Sequence, residues 1–109
     1  MMLSENEFRQ NADSALEALY SKLAEASDDY DFDVDMNAGA LSVEFESPKD
    51  RFVVSPNAPV RQIWVSAHVQ SYKFDWDGQR RQFVLPDSGL SLEEMMADAI
   101  RRHIPEFSF

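Results

Sequence analysis

Carboxylate side chains dominate one stretch of this chain, and they are the residues best suited to bind a ligand. Between Lys22 and Lys49 there are eight acidic residues and no basic one. They are Glu25, Asp28, Asp29, Asp31, Asp33, Asp35, Glu44 and Glu46. Carboxylate oxygens suit Ca²⁺, Mg²⁺, Mn²⁺ or iron, whereas Zn²⁺ and Cu⁺ favour thiolate and imidazole. The chain has no cysteine, and its two histidines, His68 and His103, are isolated in sequence. A metal bound at this stretch is therefore expected to be a hard cation.

Two interpretations of these carboxylates remain open, a solvated surface and a binding surface. Solvated surfaces usually mix charges of both signs, and this stretch does not. Like charges that face each other on adjacent strands destabilise a sheet by roughly 0.2–1 kcal/mol per pair. Acidic residues at the C-terminal end of a helix are also unfavourable, because the helix dipole favours cations at that end. Because the stretch opposes stability in both ways, binding is the preferred interpretation.

The residues around the carboxylates predict the elements that position them. Ser4-Glu5-Asn6-Glu7 is a capping-box pattern, and apolar residues at helical spacing then predict a helix from about Ser4 to Ala26. Asp31 to Met36 alternates apolar and acidic residues, and Leu41 to Phe45 alternates again after the turn sequence Asn37-Ala38-Gly39. This pattern predicts a β-hairpin with one solvent-exposed face.

The rest of the chain predicts further strands and a second helix. The remaining strand candidates are Arg51 to Ser55, Val60 to Ala67, Tyr72 to Trp76 and Arg80 to Val84. Pro48 separates the second strand from the third, and Asp77-Gly78 indicates a hairpin turn. Ser91-Leu92-Glu93-Glu94 is a second capping box, and an amphipathic pattern continues to His103 before Pro105 ends the helix.

The order helix, about six antiparallel strands, helix predicts an α+β two-layer sandwich. In this architecture the N- and C-terminal helices pack on one face of the sheet, and the other face meets water. Residues 1–109 are expected to form a single domain, because no linker or low-complexity stretch interrupts them. The tail from residue 105 to 109 carries Phe107 and Phe109, which are expected to pack back onto the domain.

Two kinds of site suggested by the sequence can be set aside. Asp33-x-Asp35-x-Asn37, with Glu44 at the twelfth position, resembles the ligand spacing of an EF-hand loop. Ala38 occupies the sixth position, where that loop needs glycine, and the flanking residues alternate as in strands. The sequence also lacks a glycine-rich phosphate loop and a nucleophile elbow. A binding protein is therefore favoured over an enzyme.

The charge is concentrated in the first half of the chain. Residues 1–48 hold twelve acidic and two basic residues, residues 49–109 hold eight of each, and the formal net charge is −10. Such a surface repels phosphate groups, which argues against nucleic-acid and membrane binding and favours cations or basic proteins as partners. No membrane span or signal peptide is recognised, so the protein is expected in the cytoplasm.

Several segments resemble the frataxin family. The most specific is Gln62-Ile63-Trp64-Val65-Ser66, which follows the acidic hairpin by about twenty residues. The segments from Asp31 to Leu41 and from Tyr72 to Trp76 add to the resemblance. The resemblance covers nearly the whole chain, in the element order predicted above. It implies a small α+β protein, here a bacterial cytoplasmic member, that binds iron and takes part in iron-sulfur cluster assembly.

The resemblance also implies which residues bind iron and partners. By position, the acidic ridge of the family is matched by Glu25, Asp28, Asp29, Asp31, Asp33 and Asp35. The sheet surface that docks on the cysteine desulfurase and the scaffold protein is matched by Ser55, Asn57, Gln62, Trp64 and Lys73. The phase of β-strand alternation independently places Trp64 opposite to Ile63 and Val65, on the solvent face. An exposed tryptophan is a typical interface anchor.

The chain departs from the family pattern in three segments, and three functions stay open. The departures are Ser55-Pro56-Asn57, Ala67-His68-Val69-Gln70-Ser71 and Arg80-Arg81-Gln82-Phe83. The preferred function is a weakly binding iron donor or sensor that regulates the desulfurase-scaffold complex, and other hard divalent cations could also bind. An acidic module that docks on a basic partner is the first alternative, and a ferroxidase is the second. A monomer is expected, with oligomerisation on iron loading left open.

Overall fold

The computed structural model describes residues 3–46 and 49–109, and it has the predicted order of helices and strands. Helix α1 spans Glu5–Ala26 and helix α2 spans Leu92–Arg101. The strands are β1 Asp33–Asn37, β2 Ala40–Glu46, β3 Lys49–Asn57, β4 Gln62–Ala67, β5 Gln70–Asp77 and β6 Gln82–Val84. The predicted strand boundary at Pro48 lies outside the described residues.

All six strands form one antiparallel sheet in which sequence neighbours pair, in the order β1-β2-β3-β4-β5-β6. Both helices pack on one face of this sheet, and the core lies between the two layers. The largest fully buried side chains include Phe8 and Leu19 of α1, Phe52 and Phe74 of the sheet, and Ile100 of α2. The predicted two-layer α+β sandwich is confirmed.

Both helices begin at the predicted capping boxes. The Ser4 hydroxyl accepts a hydrogen bond from the Glu7 backbone N–H, and the Glu7 carboxylate accepts one from the Ser4 backbone N–H. Ser91 and Glu94 form the same reciprocal pair at the start of α2. These bonds satisfy backbone donors that would otherwise lack a partner within the helix. Across the described ranges, no helix combines the length and the apolar character that a membrane crossing requires.

The capping glutamate of α2 predicts a loss of stability on acidification. Hydrogen bonds from the Ser91 backbone and hydroxyl, followed by the attraction of Arg80, lower the pKa of Glu94 despite a small opposing effect of burial. An unfolded chain has a glutamate pKa of about 4.3. The ionised carboxylate therefore stabilises the fold above about pH 4.3, and this contribution disappears as the pH falls through the lower folded-state pKa.

We expect the Tm advantage of the wild type over Glu94→Gln to shrink between about pH 6 and about pH 3. Glutamine retains the cap but does not titrate, so it serves as the reference for every pH-dependent effect elsewhere in the protein. Thermal melts of both proteins across this range measure the difference. A Tm difference that stays constant with pH would contradict the assigned role.

Three predicted strands begin later than expected: β1 starts at Asp33 instead of Asp31, and local turns take the first residues of two others. Ala58–Val60 form a 3₁₀ turn, and Arg61 adopts a left-handed conformation with φ of 55°, so β4 starts at Gln62. In the β5–β6 connection, the Asp77 carboxylate accepts hydrogen bonds from the backbone N–H groups of Gln79 and Arg80 at 3.0 and 3.1 Å. These bonds organise residues 78–81 as the turn, so the predicted hairpin is present with a shorter final strand.

The C-terminal tail packs onto the loop between α1 and β1. Phe107 is fully buried, with ring centroids 5.1 Å from Tyr30 and 5.8 Å from Phe32. The Tyr30 hydroxyl donates a hydrogen bond to the Glu106 carbonyl at 3.3 Å. Phe109 contacts Phe107 at 5.2 Å but is 46% exposed. The expected packing of the tail is confirmed, and it fixes the loop that carries part of the acidic stretch.

Candidate functional site

The six carboxylates matched to the family ridge are exposed and lie at the end of α1, in the loop that follows and on β1; together they are called the acidic ridge. Its members are Glu25, Asp28, Asp29, Asp31, Asp33 and Asp35. Glu25 lies in the last turn of α1, and Asp33 and Asp35 project from the outer face of β1. Asp33 lies opposite Glu44 and Asp35 opposite Ser42 in the β1–β2 register. The facing carboxylates predicted for this hairpin are therefore present.

The electrostatic surroundings of the ridge leave its negative charge largely uncompensated. The last turn of α1 contains no basic residue, so the negative end of the helix dipole adds to the ridge charge. Lys22, one turn earlier, instead contacts Glu93 of α2 at 2.6 Å. Arg51 lies 3.7 Å from Glu44, beside the ridge. Among residues 3–46 and 49–109, no lysine, arginine or histidine forms an ion pair with a ridge carboxylate.

The ridge is an open surface with no preformed cage of ligands. Within the described part of the chain, no three of its carboxylates bring oxygen atoms within 4.8 Å of one another. A cation on the ridge would therefore contact one or two carboxylates and keep much of its water, which suits hard ions such as Mg²⁺. Such binding is weak and depends on the summed charge more than on any single residue.

A second surface lies on the outer face of the sheet, to which Asp33 and Asp35 also belong, and is centred on Trp64; it is called the tryptophan surface. Its residues are Ser55, Asn57, Gln62, Trp64 and Lys73. Cross-strand pairing aligns Ser55, Trp64 and Lys73 in one row across β3, β4 and β5. Trp64 is 37% exposed, whereas the adjacent Ile63 and Val65 are buried, so the predicted solvent-facing orientation is confirmed.

The indole of Trp64 is held in place before any partner binds. Its Nε1–H donates a hydrogen bond to the Gln62 side-chain oxygen at 3.0 Å. The Gln62 amide nitrogen in turn donates to Asp75 at 3.0 Å. The Lys73 ammonium lies 5.0 Å from the ring centroid, within the range of a cation–π interaction. Because the ring is already oriented, a partner would pay little conformational entropy to use it as an anchor.

Asp33 and Asp35 of the acidic ridge share the outer face of the sheet with the tryptophan surface. A cross-strand row runs from Asp35 through Ser42, Val53 and Ser66 to Ser71, linking β1 to β5. Neighbouring strands lie about 4.8 Å apart, so β1 and β4 are separated by roughly 14 Å. One macromolecular partner can therefore contact both surfaces at once.

The structure brings together three residues that the sequence did not connect. The Nε2 atom of His103 lies 2.8 Å from Asp50 Oδ2, and the Nδ1 atom of His68 lies 3.9 Å from the same oxygen. The two histidines, which are isolated in sequence, are therefore neighbours in space. The sequence contained one indication of this cluster. Asp50 alternates in step with Phe52 and Val54 on β3, so its side chain points towards the helices. A carboxylate there requires a polar partner.

The local contacts keep Asp50 ionised. Partial burial raises the pKa of the Asp50 carboxyl. A hydrogen bond from His103, a second one from the Arg51 backbone and the attraction of the two histidine rings together lower this pKa by more than burial raises it. The net result is a pKa below the usual range. Asp50 therefore offers a carboxylate beside two imidazoles, a different set of ligands from that of the acidic ridge.

Comparison with known families assigns the chain. A family model described as a frataxin-like domain matches residues 1–106. The chain belongs to the frataxin-like family. The family pattern thus extends from before α1 to the C-terminal tail, and it includes both surfaces of this frataxin-like protein.

Curated relatives and solved structures agree with this assignment. The iron-sulfur cluster assembly protein CyaY of Pseudomonas fluorescens (strain Pf0-1) is 33% identical over 100% of this chain and 97% of its own. The iron-sulfur cluster assembly protein CyaY of Azotobacter vinelandii is 32% identical over 97% of this chain and 94% of its own. The frataxin from Psychromonas ingrahamii superposes with a TM-score of 0.80 at 24% identity, covering 95% of this chain and 94% of its own. Yeast frataxin superposes with a TM-score of 0.74 at 21% identity, and the match covers 97% of this chain and 87% of the yeast chain. These structures share the fold.

Proposed function

We propose that this frataxin-like protein carries or senses iron on its acidic ridge and regulates iron-sulfur cluster assembly by docking on a cysteine desulfurase and its scaffold protein. The observation that supports this most is the outer face of the sheet. It combines Asp33 and Asp35, which are exposed and form no ion pair within residues 3–46 and 49–109, with an oriented, exposed tryptophan. The curated relatives are named iron-sulfur cluster assembly proteins. Iron is cargo in this proposal, and weak binding is what a donor needs.

The ridge is proposed to attract ferrous iron through its summed charge. Individual exposed charge pairs typically contribute about 0.2–1 kcal/mol. Removing one carboxylate should therefore have a small effect, while removing three should reduce affinity by roughly 0.6–3 kcal/mol if the contributions add. The size of the effect follows from the openness of the ridge, since the ion can shift to the remaining carboxylates after a single substitution.

We expect the Asp31/Asp33/Asp35→Asn variant to bind Fe²⁺ about tenfold more weakly than the wild type. Anaerobic calorimetric titration measures this affinity. A matched control, Asp13→Asn with Glu17→Gln and Asp87→Asn, removes three exposed carboxylates outside the ridge and should change affinity by less than about twofold. Equal losses in the two variants would indicate an unspecific charge effect, and unchanged affinity in the ridge variant would overturn the proposed site.

A second candidate function is supported by the absence of a ligand cage on the ridge within the described residues. In this alternative the ridge recognises a basic patch on the desulfurase, and metal binding is incidental. Docking by charge should weaken steeply with ionic strength whether or not iron is present, whereas iron delivery requires the loaded protein. Binding measured at several salt concentrations, with and without Fe²⁺, separates the two functions.

A further inference from the structure

We propose that Asp50, His68 and His103 form a second metal site, which binds a divalent transition-metal ion such as Zn²⁺ or Co²⁺. Two imidazoles and one carboxylate are a ligand set that these ions accept readily, whereas Ca²⁺ and Mg²⁺ prefer oxygen ligands alone. The site differs from the acidic ridge in its ligands, its burial and the face of the sheet on which it lies.

The three ligand atoms already lie close together. One ligand atom each of Asp50, His68 and His103 lies within 4.8 Å of the other two, the only such group of three in residues 3–46 and 49–109. Zinc bonds to imidazole and carboxylate are about 2.0–2.2 Å long, so binding an ion requires the side chains to move closer and an imidazole to rotate towards the ion. The ion would replace the proton shared by His103 and Asp50 at 2.8 Å.

Hydrogen bonding orients His68 for this role. Its Nε2 atom lies 3.0 Å from the Ala99 carbonyl oxygen, which can only accept a hydrogen bond. The Nε2 atom therefore carries the proton, and in the neutral ring the lone pair of Nδ1 faces Asp50 and His103. A hydrogen bond from the second ring nitrogen to a carbonyl is the usual support of a metal-binding histidine.

The position of His103 is fixed by aromatic packing. Its ring stacks on Phe45 with centroids 4.2 Å apart and an interplanar angle of 16°. Its centroid also lies 5.4 Å from that of the His68 ring at an angle of 20°. Packing therefore holds the two imidazoles beside each other before a metal arrives, and at least one ring must rotate so that both nitrogen lone pairs point at the same ion.

The turn that carries His68 has an unfavourable backbone. His68 and Val69 both have positive φ angles, 52° and 62°, in the two-residue connection between β4 and β5. Glycine and asparagine favour this conformation, whereas a β-branched residue is an outlier in it. The Val69 side chain is fully exposed, so no burial of its own offsets the strain. Strain that persists in this way is typical of positions held for a function, here the placement of the His68 ring.

The cluster is open to solvent on the side of Asp50. The side chains of His68 and His103 are 18% and 10% exposed, whereas that of Asp50 is 31% exposed and connects the cluster to solvent. Three protein ligands with an open fourth position are typical of zinc sites that bind water or another small ligand. The ligands come from the start of β3, the β4–β5 turn and the residues just after α2, so a bound ion would cross-link these three elements.

The test compares Zn²⁺ and Co²⁺ binding in the wild type with binding in His68→Asn. Asparagine tolerates a positive φ, so the turn should persist while the imidazole ligand is lost. We expect the wild type to bind Zn²⁺ at least tenfold more tightly than His68→Asn by calorimetry, and Co²⁺ to give visible absorption bands only in the wild type. Mg²⁺ should not compete.

Further variants distinguish a metal site from a purely structural polar cluster. His103→Gln can still donate a hydrogen bond to Asp50, so it should fold normally yet bind Zn²⁺ at least tenfold more weakly. The Asp31/Asp33/Asp35→Asn variant should keep its Zn²⁺ affinity within about threefold. In ¹H–¹⁵N spectra, addition of Zn²⁺ should shift the resonances of the ring nitrogens of both histidines.

Equal Zn²⁺ binding in the wild type and the histidine variants, or loss of binding in the ridge variant, would overturn the proposal. Neither result would affect the iron role of the ridge, which is tested by Fe²⁺ alone.

Discussion

Replacement of Phe107 by alanine is expected to lower the free energy of unfolding by about 3–5 kcal/mol, the usual effect of removing a fully buried phenylalanine ring. The ring contacts Tyr30 and Phe32 in the loop between α1 and β1. The Phe107 carbonyl also accepts a hydrogen bond from Arg101 at 2.8 Å, which ties the tail to the end of α2. A domain of this size typically has only about 5–15 kcal/mol of stability, so the loss is severe.

Urea denaturation of Phe107→Ala and the wild type measures this loss. Phe109→Ala is the matched control, because Phe109 lies two residues away and is largely exposed. It should change the free energy of unfolding by less than about 1 kcal/mol. Because the tail holds the loop that carries Asp28, Asp29 and Asp31, amide exchange in that loop should also accelerate in Phe107→Ala. Equal stability of the two variants would show that the tail does not support the fold.

Replacement of Trp64 by alanine should weaken binding to the desulfurase-scaffold complex by at least about thirtyfold, corresponding to the 2 kcal/mol or more of an interface anchor. The expectation rests on the exposed, preoriented indole. Its surroundings supply hydrogen-bonding groups at the rim, from Gln62 and Lys73, of the kind that exclude water around such anchors. Only part of the ring is buried in the free protein, so the fold should remain intact.

A pull-down with the purified cognate desulfurase and scaffold measures this effect, and Phe109→Ala serves again as an exposed aromatic control. A rise in salt should weaken binding of the wild type and of Trp64→Ala in the same proportion, because the substitution removes no charge. Undiminished capture of Trp64→Ala would contradict the docking role of the tryptophan surface. Loss of capture in both Trp64→Ala and the ridge variant would support a single partner that spans the shared face.

Local patterns in the sequence determine most of this fold, which is why it could be predicted. The capping boxes at Ser4 and Ser91 set the starts of both helices, and strict alternation set the faces of β1, β2 and β4. The outward orientation of Trp64 follows from the same alternation. These features depend on neighbours within a few residues, so they can be read without knowledge of the tertiary structure.

The features that sequence reasoning missed depend on long-range contacts. Asp50, His68 and His103 come from three elements, and their proximity follows from strand pairing and the packing of α2. The late start of β6 reflects hydrogen bonds to the Asp77 side chain, which competed with extension of the strand. The acidic stretch could be located because its residues are close in sequence, and the choice of the six ridge residues followed from the family resemblance. Within the described residues, these carboxylates do not bring three oxygen atoms close enough together to enclose an ion, and only the three-dimensional structure shows this.

The location of β1 at one edge of the sheet has a consequence for encounters between copies of the protein. An edge strand presents unpaired backbone N–H and C=O groups, to which a strand of another molecule can add. Two β1 strands pairing side by side would crowd Asp33 and Asp35 of both copies together, and their repulsion opposes this contact. Bound cations would neutralise the repulsion. If the ridge binds metal as proposed, the aspartates would oppose polymerisation of the metal-free protein through this sheet edge, and bound metal would weaken that opposition.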